Sequence, residues 1–389
     1  MILPNSNNDH CFSPHGISLQ HPYRPTQPTR AMQYTDGTVE GWCADTAEEV
    51  PAILEKHGVC ILHNVLTSAQ CDEMRDKAWD TFETITQDMD VPLKRDNLAT
   101  YATLNVLNPH HGMLHQHFGA GYGLHGTMLR NMIACSEPFA KIWDTKKLLV
   151  SFDGCSFAPP LVKEDTTDES TMMHLDQSLH PDSRGKKKWF QSWVTSEDVS
   201  DGDGTLQFIA GGAHRLHKEF AEYTDVCQDE RVCKQLKNKS DWFVVSDKKG
   251  ISAELQWYLD KGCNVRRIKC PKGSMVFWDS RVPHTGVHGK RTNLRNVVYL
   301  CYLPVERCDA PNLMAKRKEM HNPDAGDRYL RTCAHPPDKM RMFAVYPIVW
   351  PRKPRAAMDE YFSKVSLPPH PEYNEHGKRV CGLCPWPRC

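Results

Sequence analysis

Apolar residues recur along the chain with two different periods, and the change from one to the other divides it. Thr46 followed by Glu49 reads as a capping box, opening a helix that runs to about His57, before Gly58. VCILHNV follows as a short apolar run of strand type. Thr67 and Ser68 then cap a second helix, along which Cys71, Met74, Ala78, Trp79 and Phe82 return at helical spacing. Residues 91 to 131 lose the period and read as loop, with five histidines between His110 and His125 and glycines among them. Ser136 to Trp143 resumes a short helix, and KKLLVSFDG reads as a buried strand ended by a turn.

From there to about Pro304 the pattern is that of β-structure. TMMHLDQ, KKWFQSWVT, GTLQFIAG, GSMVFWDS and RNVVYLCYL are short, apolar or aromatic, and bounded by Gly, Asp, Ser or Pro. SDGDGT, between the second and third, has the residues of a hairpin turn. Short strands at this spacing predict an antiparallel sandwich or barrel rather than alternating β-α units. His217 to Lys261 interrupts them with helical and polar patterns, an insertion of about 217–261 that covers an edge or a mouth. Residues 1–40 are rich in Pro, Asn, Ser, Gln and His and predict an irregular N-terminal arm. The main domain is thus 41–305, and a Pro/Arg/Lys-rich C-terminal extension occupies 306–389.

Composition narrows the partners. The 389 residues are 40% hydrophobic and 25% charged, and 48 basic residues balance 48 acidic ones. No net field draws the molecule to nucleic acid or an anionic membrane. Lys186 to Lys188 and Lys316 to Lys318 read as solvated faces. The first apolar run stops at Pro4, short of a secretory signal, and no window approaches the roughly 18 apolar residues of a membrane span. Sixteen cysteines scattered through a long chain read as reduced thiols in a cytoplasmic setting rather than a disulfide framework.

The chemistry starts at TMMHLDQSLH. On a strand, His174 and Asp176 project to one side and Leu175 to the other. One imidazole and one carboxylate are two thirds of a facial site that takes one more histidine and suits non-haem iron(II). With twenty histidines an H-x-D triplet is expected roughly once by chance, and His180 with Asp182 is a second one, demoted by Pro181 to turn or edge. The third ligand must come from another strand. His284 directly follows an apolar strand and Pro283 stiffens its approach; His288, four residues on, is the competitor in a loop. Arg295 opens the next strand on one face with Val297, Tyr299 and Cys301. A dicarboxylate that chelates the metal at one end needs a fixed cation at the other, and a guanidinium fork serves best. Arg291 is its loop-borne competitor.

His174 and Asp176, the tryptophan strand with Trp193, GDGTLQFIAGGAHR, GSMVFWDSRVPH and Arg295 eleven residues after His284 occur in an order that resembles the phytanoyl-CoA dioxygenase family of iron(II)- and 2-oxoglutarate-dependent oxygenases. The resemblance covers roughly residues 145 to 305. It implies a mainly β fold with flanking helices and a double-stranded β-helix (jelly-roll, cupin-like) core. It implies Fe(2+) held by His174, Asp176 and His284, 2-oxoglutarate held by Arg295 with Trp193 lining the pocket, and O2 as second cosubstrate. The implied reaction is hydroxylation of a small organic substrate, with release of succinate and CO2. Halogenating relatives give up the carboxylate that Asp176 supplies here. The long insertion, the arm and the tail depart from the family pattern, and no feature marks a CoA-binding surface.

Several residues read two ways. Trp193 shares a face with Trp189, Gln191 and Thr195, where an aromatic serves as core as readily as cosubstrate wall. Asp153 either caps a turn before Gly154 or reaches the same cavity. HHGMLHQH reads as a lip beside a cleft, with imidazoles available to substrate, more readily than as a metal cluster. Cys381 and Cys384 with His376 and Cys389 offer four zinc donors but lack a second half-motif, which favours a loosely packed tail. A non-catalytic metal- or 2-oxoglutarate-binding sensor, or a zinc hydrolase using the same ligands, are the readings from other classes. Substrate identity and oligomeric state are not legible.

Overall fold

The computed structural model describes residues 35–36, 41–107, 109, 113–116, 118–160, 172–180, 189–227, 229–237, 242–246, 251–290, 292–307, 330–331, 344–345, 364–366, 368–369 and 371–387. Most of the arm, His110, His111, His117, Asp182, Lys186 to Lys188, Arg291, Lys316 to Lys318 and Cys389 lie outside the described residues.

Strands β1 (Thr35–Asp36), β2 (Cys43–Ala44) and β3 (Val59–Leu62) alternate with helix α1 (Val50–His57), and α2 (Ser68–Thr86), α3 (Thr103–Val106), α4 (Leu124–Arg130) and α5 (Ile133–Trp143) follow. Glu49 Oε2 accepts from the amides of Asp45 and Thr46, both at 2.9 Å, as the box predicts, but the helix proper starts at Val50, with Pro51 in its first turn. Thr67 and Gln70 close a full capping box on α2, whose inward stripe buries Cys71, Met74, Ala78, Trp79 and Phe82. The stretch expected as loop contains α4, anchored where Thr81 Oγ1 accepts from the Leu124 amide at 2.9 Å. His115 and His125 do not line a lip. Both are buried, with Phe82 packed against each ring, and His115 Nε2 lies 3.2 Å from the Phe157 carbonyl. Periodicity could not reveal this, because short helices broken by glycine leave too few turns to count.

Next come β4 (Leu148–Val150), β5 (Cys155–Ala158), β6 (Met173–Leu175), β7 (Phe190–Thr195) and β8 (Thr205–Ala210). The insertion supplies α6 (His217–Asp225), α7 (Glu230–Lys237), β9 (Phe243–Ser246) and α8 (Ala253–Asp260). The strands close with β10 (Asn264–Arg267), β11 (Met275–Asp279), β12 (His284–Val287), β13 (Arg295–Leu300) and β14 (Tyr302–Pro304), and α9 (Glu375–Val380) lies in the tail.

Two six-stranded sheets result, in the orders β1-β10-β8-β12-β6-β9 and β2-β3-β11-β7-β13-β5. The chain passes from β5 in one to β6 in the other, back to β7, across to β8 and β10, and again to β11, β12 and β13, which is the winding of a double-stranded β-helix. SDGDGT is therefore no hairpin. It carries the chain from β7 to β8 in the opposite sheet, and the same turn residues serve either route.

Alternation assigns the faces. Trp193 and Val297 from one sheet, and Leu206 and Phe208 from the other, point inward into a shared core. Phe190, Val194, Val298 and Leu300 point outward against α2, α5 and their neighbours. Met173, Leu175 and Ile209 point outward from the other sheet against the insertion, including Phe220, Phe243 and Tyr258. Cys301 departs from its expected face. The ladder breaks at that residue, and its side chain joins the outer cluster. The tail is also better packed than expected at its described end. Cys381 is fully buried in the same cluster, and Trp386 Nε1 donates to the Leu148 carbonyl at 3.1 Å.

Candidate metal centre

Register brings the site together. β12 runs antiparallel to β6 with His284 directly opposite His174, so the two imidazoles stand side by side on the inner face, ring centres 4.6 Å apart. Asp176 follows two residues after His174, just past the strand, where its amide donates to the Ser280 carbonyl at 3.1 Å. One ligand atom from each of His174, Asp176 and His284 lies within 4.8 Å of the others.

Both histidines are oriented by the same device. His174 Nδ1 lies 3.0 Å from the Met172 carbonyl, and His284 Nδ1 lies 2.9 Å from the Val282 carbonyl. A carbonyl oxygen only accepts, so Nδ1 carries a proton in each ring and Nε2 is the nitrogen that can offer a lone pair to a metal. Those nitrogens face the carboxylate, at 3.5 Å from Oδ1 for His174 and 3.1 Å from Oδ2 for His284. A proton on Nε2 or a cation shared by the three groups would bridge these contacts. Bonds of about 2.1 Å to an octahedral ion put neighbouring ligands about 3 Å apart, which these separations match. The donor set therefore fits a divalent ion with nitrogen and oxygen preference.

Around the carboxylate, Gln191 Nε2 donates to Asp176 Oδ2 at 2.9 Å from β7 in the opposite sheet. Gln177 Nε2 donates to Ser280 Oγ at 2.7 Å, tying the segment after β6 to the turn before β12. Trp278 packs its ring 5.5 Å from that of His284. Asp176 and His284 are buried, whereas the His174 side chain is 22% exposed.

Arg295 is buried on the inner face of β13, its guanidinium 5.9 Å from the Trp193 ring. Its Nε donates to Ser156 Oγ at 3.0 Å and Nη1 to the Gly204 carbonyl. Gly204 leaves it room: a methyl group there would sit 3.1 Å from Arg295 Cδ and 2.8 Å from the His288 carbonyl. A small, partly open cleft lies beside Arg295, lined also by Thr195, Glu197, Asp203, His288 and Asn293. His288 thus stands at the far end of β12 from the triad. Asp153 is buried and accepts from Gln116 Nε2 at 3.1 Å, and it is not one of the clustered ligands. Among the described residues no second cluster of metal donors exists; His376 hydrogen-bonds Ser136 Oγ at 3.2 Å instead. Sequence reasoning missed β5 and its Ser156, because CSFA is too short to show a period. It also missed the role of Gln191, whose only signal was its place on the face of Trp193.

Residues 54–292, more than half of the chain, match the family model described as Phytanoyl-CoA dioxygenase (PhyH). The chain belongs to this family. A curated relative, the Ava biosynthesis cluster protein O of Aspergillus versicolor, is 26% identical over 168 residues, which cover 43% of this chain and 50% of that protein. The chain thus spans about half the length of the curated relative it matches. Among solved structures it is similar to the epimerase SnoN in complex with Fe3+, alpha ketoglutarate and nogalamycin RO, at 13% identity, 66% of this chain, 83% of that one and a TM-score of 0.39. It is also similar to a hypothetical protein, JW0805, from Escherichia coli (15%, 87% and 82%, TM-score 0.48) and to EctD from S. alaskensis (12%, 72% and 85%, TM-score 0.40). No helix among the described residues is long and apolar enough to cross a membrane.

Proposed function

We propose that this PhyH-family chain is a dioxygenase that hydroxylates a small organic molecule, with residues 41–305 as its catalytic unit. His174, Asp176 and His284 hold iron(II), and Arg295 holds the far carboxylate of 2-oxoglutarate. The observation that carries the reading is the convergence of two Nε2 lone pairs and one carboxylate within 4.8 Å. Iron(II) bound there would, with 2-oxoglutarate and dioxygen as cosubstrates, supply the oxidising chemistry, the cosubstrate leaving as succinate and CO2.

The chain's own residues do the rest. The Met172 and Val282 carbonyls hold both imidazoles in one tautomer, so a metal meets ligands already aimed at it. Gln191 steadies the carboxylate. Arg295 lies against Gly204, beside the Val287 end of β12, three residues or about 10 Å along the strand from His284. That separation suits a five-carbon dicarboxylate bound to the metal at its other end. Trp193 walls the space between the two sites and limits water beside the guanidinium. The relative's place in a biosynthesis cluster supports a tailoring oxidation of a small metabolite as the reaction.

Anaerobic titration with iron(II) and 2-oxoglutarate tests this. Wild type develops the weak visible charge-transfer band of the chelate, and Asp176→Ala loses it. A wild type without the band refutes the assignment.

A further inference from the structure

The triad is closed on two sides and open on one. Asp176 and His284 are 4% and 5% exposed in their side chains, whereas His174 is 22% exposed, so approach to the centre is past His174. Among the described residues, one large exposed apolar side chain packs beside His174. Trp242, 44% exposed, sets its ring at 89° to the His174 ring with centroids 6.4 Å apart. It comes from the insertion.

The placement follows from strand pairing. β9 adds to the sheet edge beside β6, with Val244 opposite His174 and Phe243 opposite Leu175. Phe243 and Val245 point outward into the insertion's own core, so Val244 and, two residues before it, Trp242 take the face of His174. β9 is also held from its outer edge. The Val244 amide donates to Gln235 Oε1 at 2.7 Å, and its carbonyl accepts from Arg231 Nη1 at 3.0 Å. Arg231 in turn pairs with the buried Glu254 of α8. An exposed edge strand is thereby fixed, and Trp242 with it.

We infer that Trp242 is a specificity-determining residue, the wall against which the substrate lies, and that the substrate presents a flat, unsaturated ring system to the indole. This rests on reading the triad as the metal centre. A half-exposed indole beside the open ligand offers a rigid apolar face at little entropic cost, and a planar ring gains from stacking what a puckered one does not.

The test measures binding of 2-naphthol and its decahydro analogue by anaerobic equilibrium dialysis. It uses the full chain, both metal-free and loaded with iron(II) and 2-oxoglutarate, as wild type, Trp242→Ala and Trp242→Phe. Wild type should hold the aromatic probe about tenfold more tightly than the saturated one, Trp242→Phe should keep most of that preference, and Trp242→Ala should lose it. The chelate band should be the same in all three. A wild type without the preference, or an alanine variant that keeps it, overturns the inference while the band leaves the metal assignment standing. A missing band in wild type removes the metal assignment, and the metal-free comparison still decides the role of Trp242.

Discussion

Gln191→Leu isolates what the opposite sheet contributes to the metal centre. The side chain is 2% exposed, and its Nε2 donates to Asp176 Oδ2 at 2.9 Å, so leucine fills similar volume and deletes one hydrogen bond to a charged acceptor. Such a bond contributes about 1.5–3 kcal/mol, which corresponds to roughly 10- to 100-fold in binding. Loss of a partner behind a metal ligand lowers affinity by about the same 10- to 100-fold, so two independent estimates agree. The variant should bind iron(II) about 10- to 100-fold more weakly in anaerobic titration, and the metal-free variant should also unfold at a lower temperature than wild type. Gln191→Glu should be worse near neutral pH, because it sets a second carboxylate against Asp176 where a donor had been. If Gln191→Leu bound iron(II) within about twofold of wild type, the bond from β7 would have no part in holding the carboxylate for metal.

Three further outcomes follow from the geometry. Arg295→Lys replaces a fork anchored on Ser156 and Gly204 with a point charge; dissociation of 2-oxoglutarate should rise by about 10-fold or more in titrations that leave iron(II) affinity unchanged. Gly154→Ala puts a methyl group 2.2 Å from the His115 carbonyl at a φ of +112°, and should cost at least about 2 kcal/mol, read as a drop of several degrees in thermal unfolding. Burial holds the pKa of His125 down to about 3 from 6.5. Its folded value lies below its unfolded one, so this contribution to stability is complete above the unfolded pKa and is lost as pH falls toward the folded one. Wild type should lose about 2 kcal/mol more than His125→Gln on going from about pH 7.5 to about pH 5 in denaturant titrations.

Buried thiols illustrate the division between composition and packing. Cys60, Cys135, Cys155 and Cys270 are free and buried, and desolvation raises each thiol, Cys135 and Cys270 to about 12. Counting cysteines said nothing of this, because reactivity depends on the surroundings of the sulfur.

Read alone, the sequence determined what is local. Side-chain period placed α2 and most core strands, strand alternation put His174 with Asp176, and the run of motifs implied the enzyme family. Order in the chain also made His284 a better third ligand than His288. What needed the folded molecule was every relation across strands. Only register put His284 opposite His174, only the facing sheet brought Gln191 to Asp176, and only edge pairing set Trp242 beside the open ligand. A strand's own residues fix which side chains share a face. Its partner, its register and the sheet to which a turn delivers it depend on packing summed over distant segments, and neither SDGDGT nor the insertion's short apolar runs carried that information.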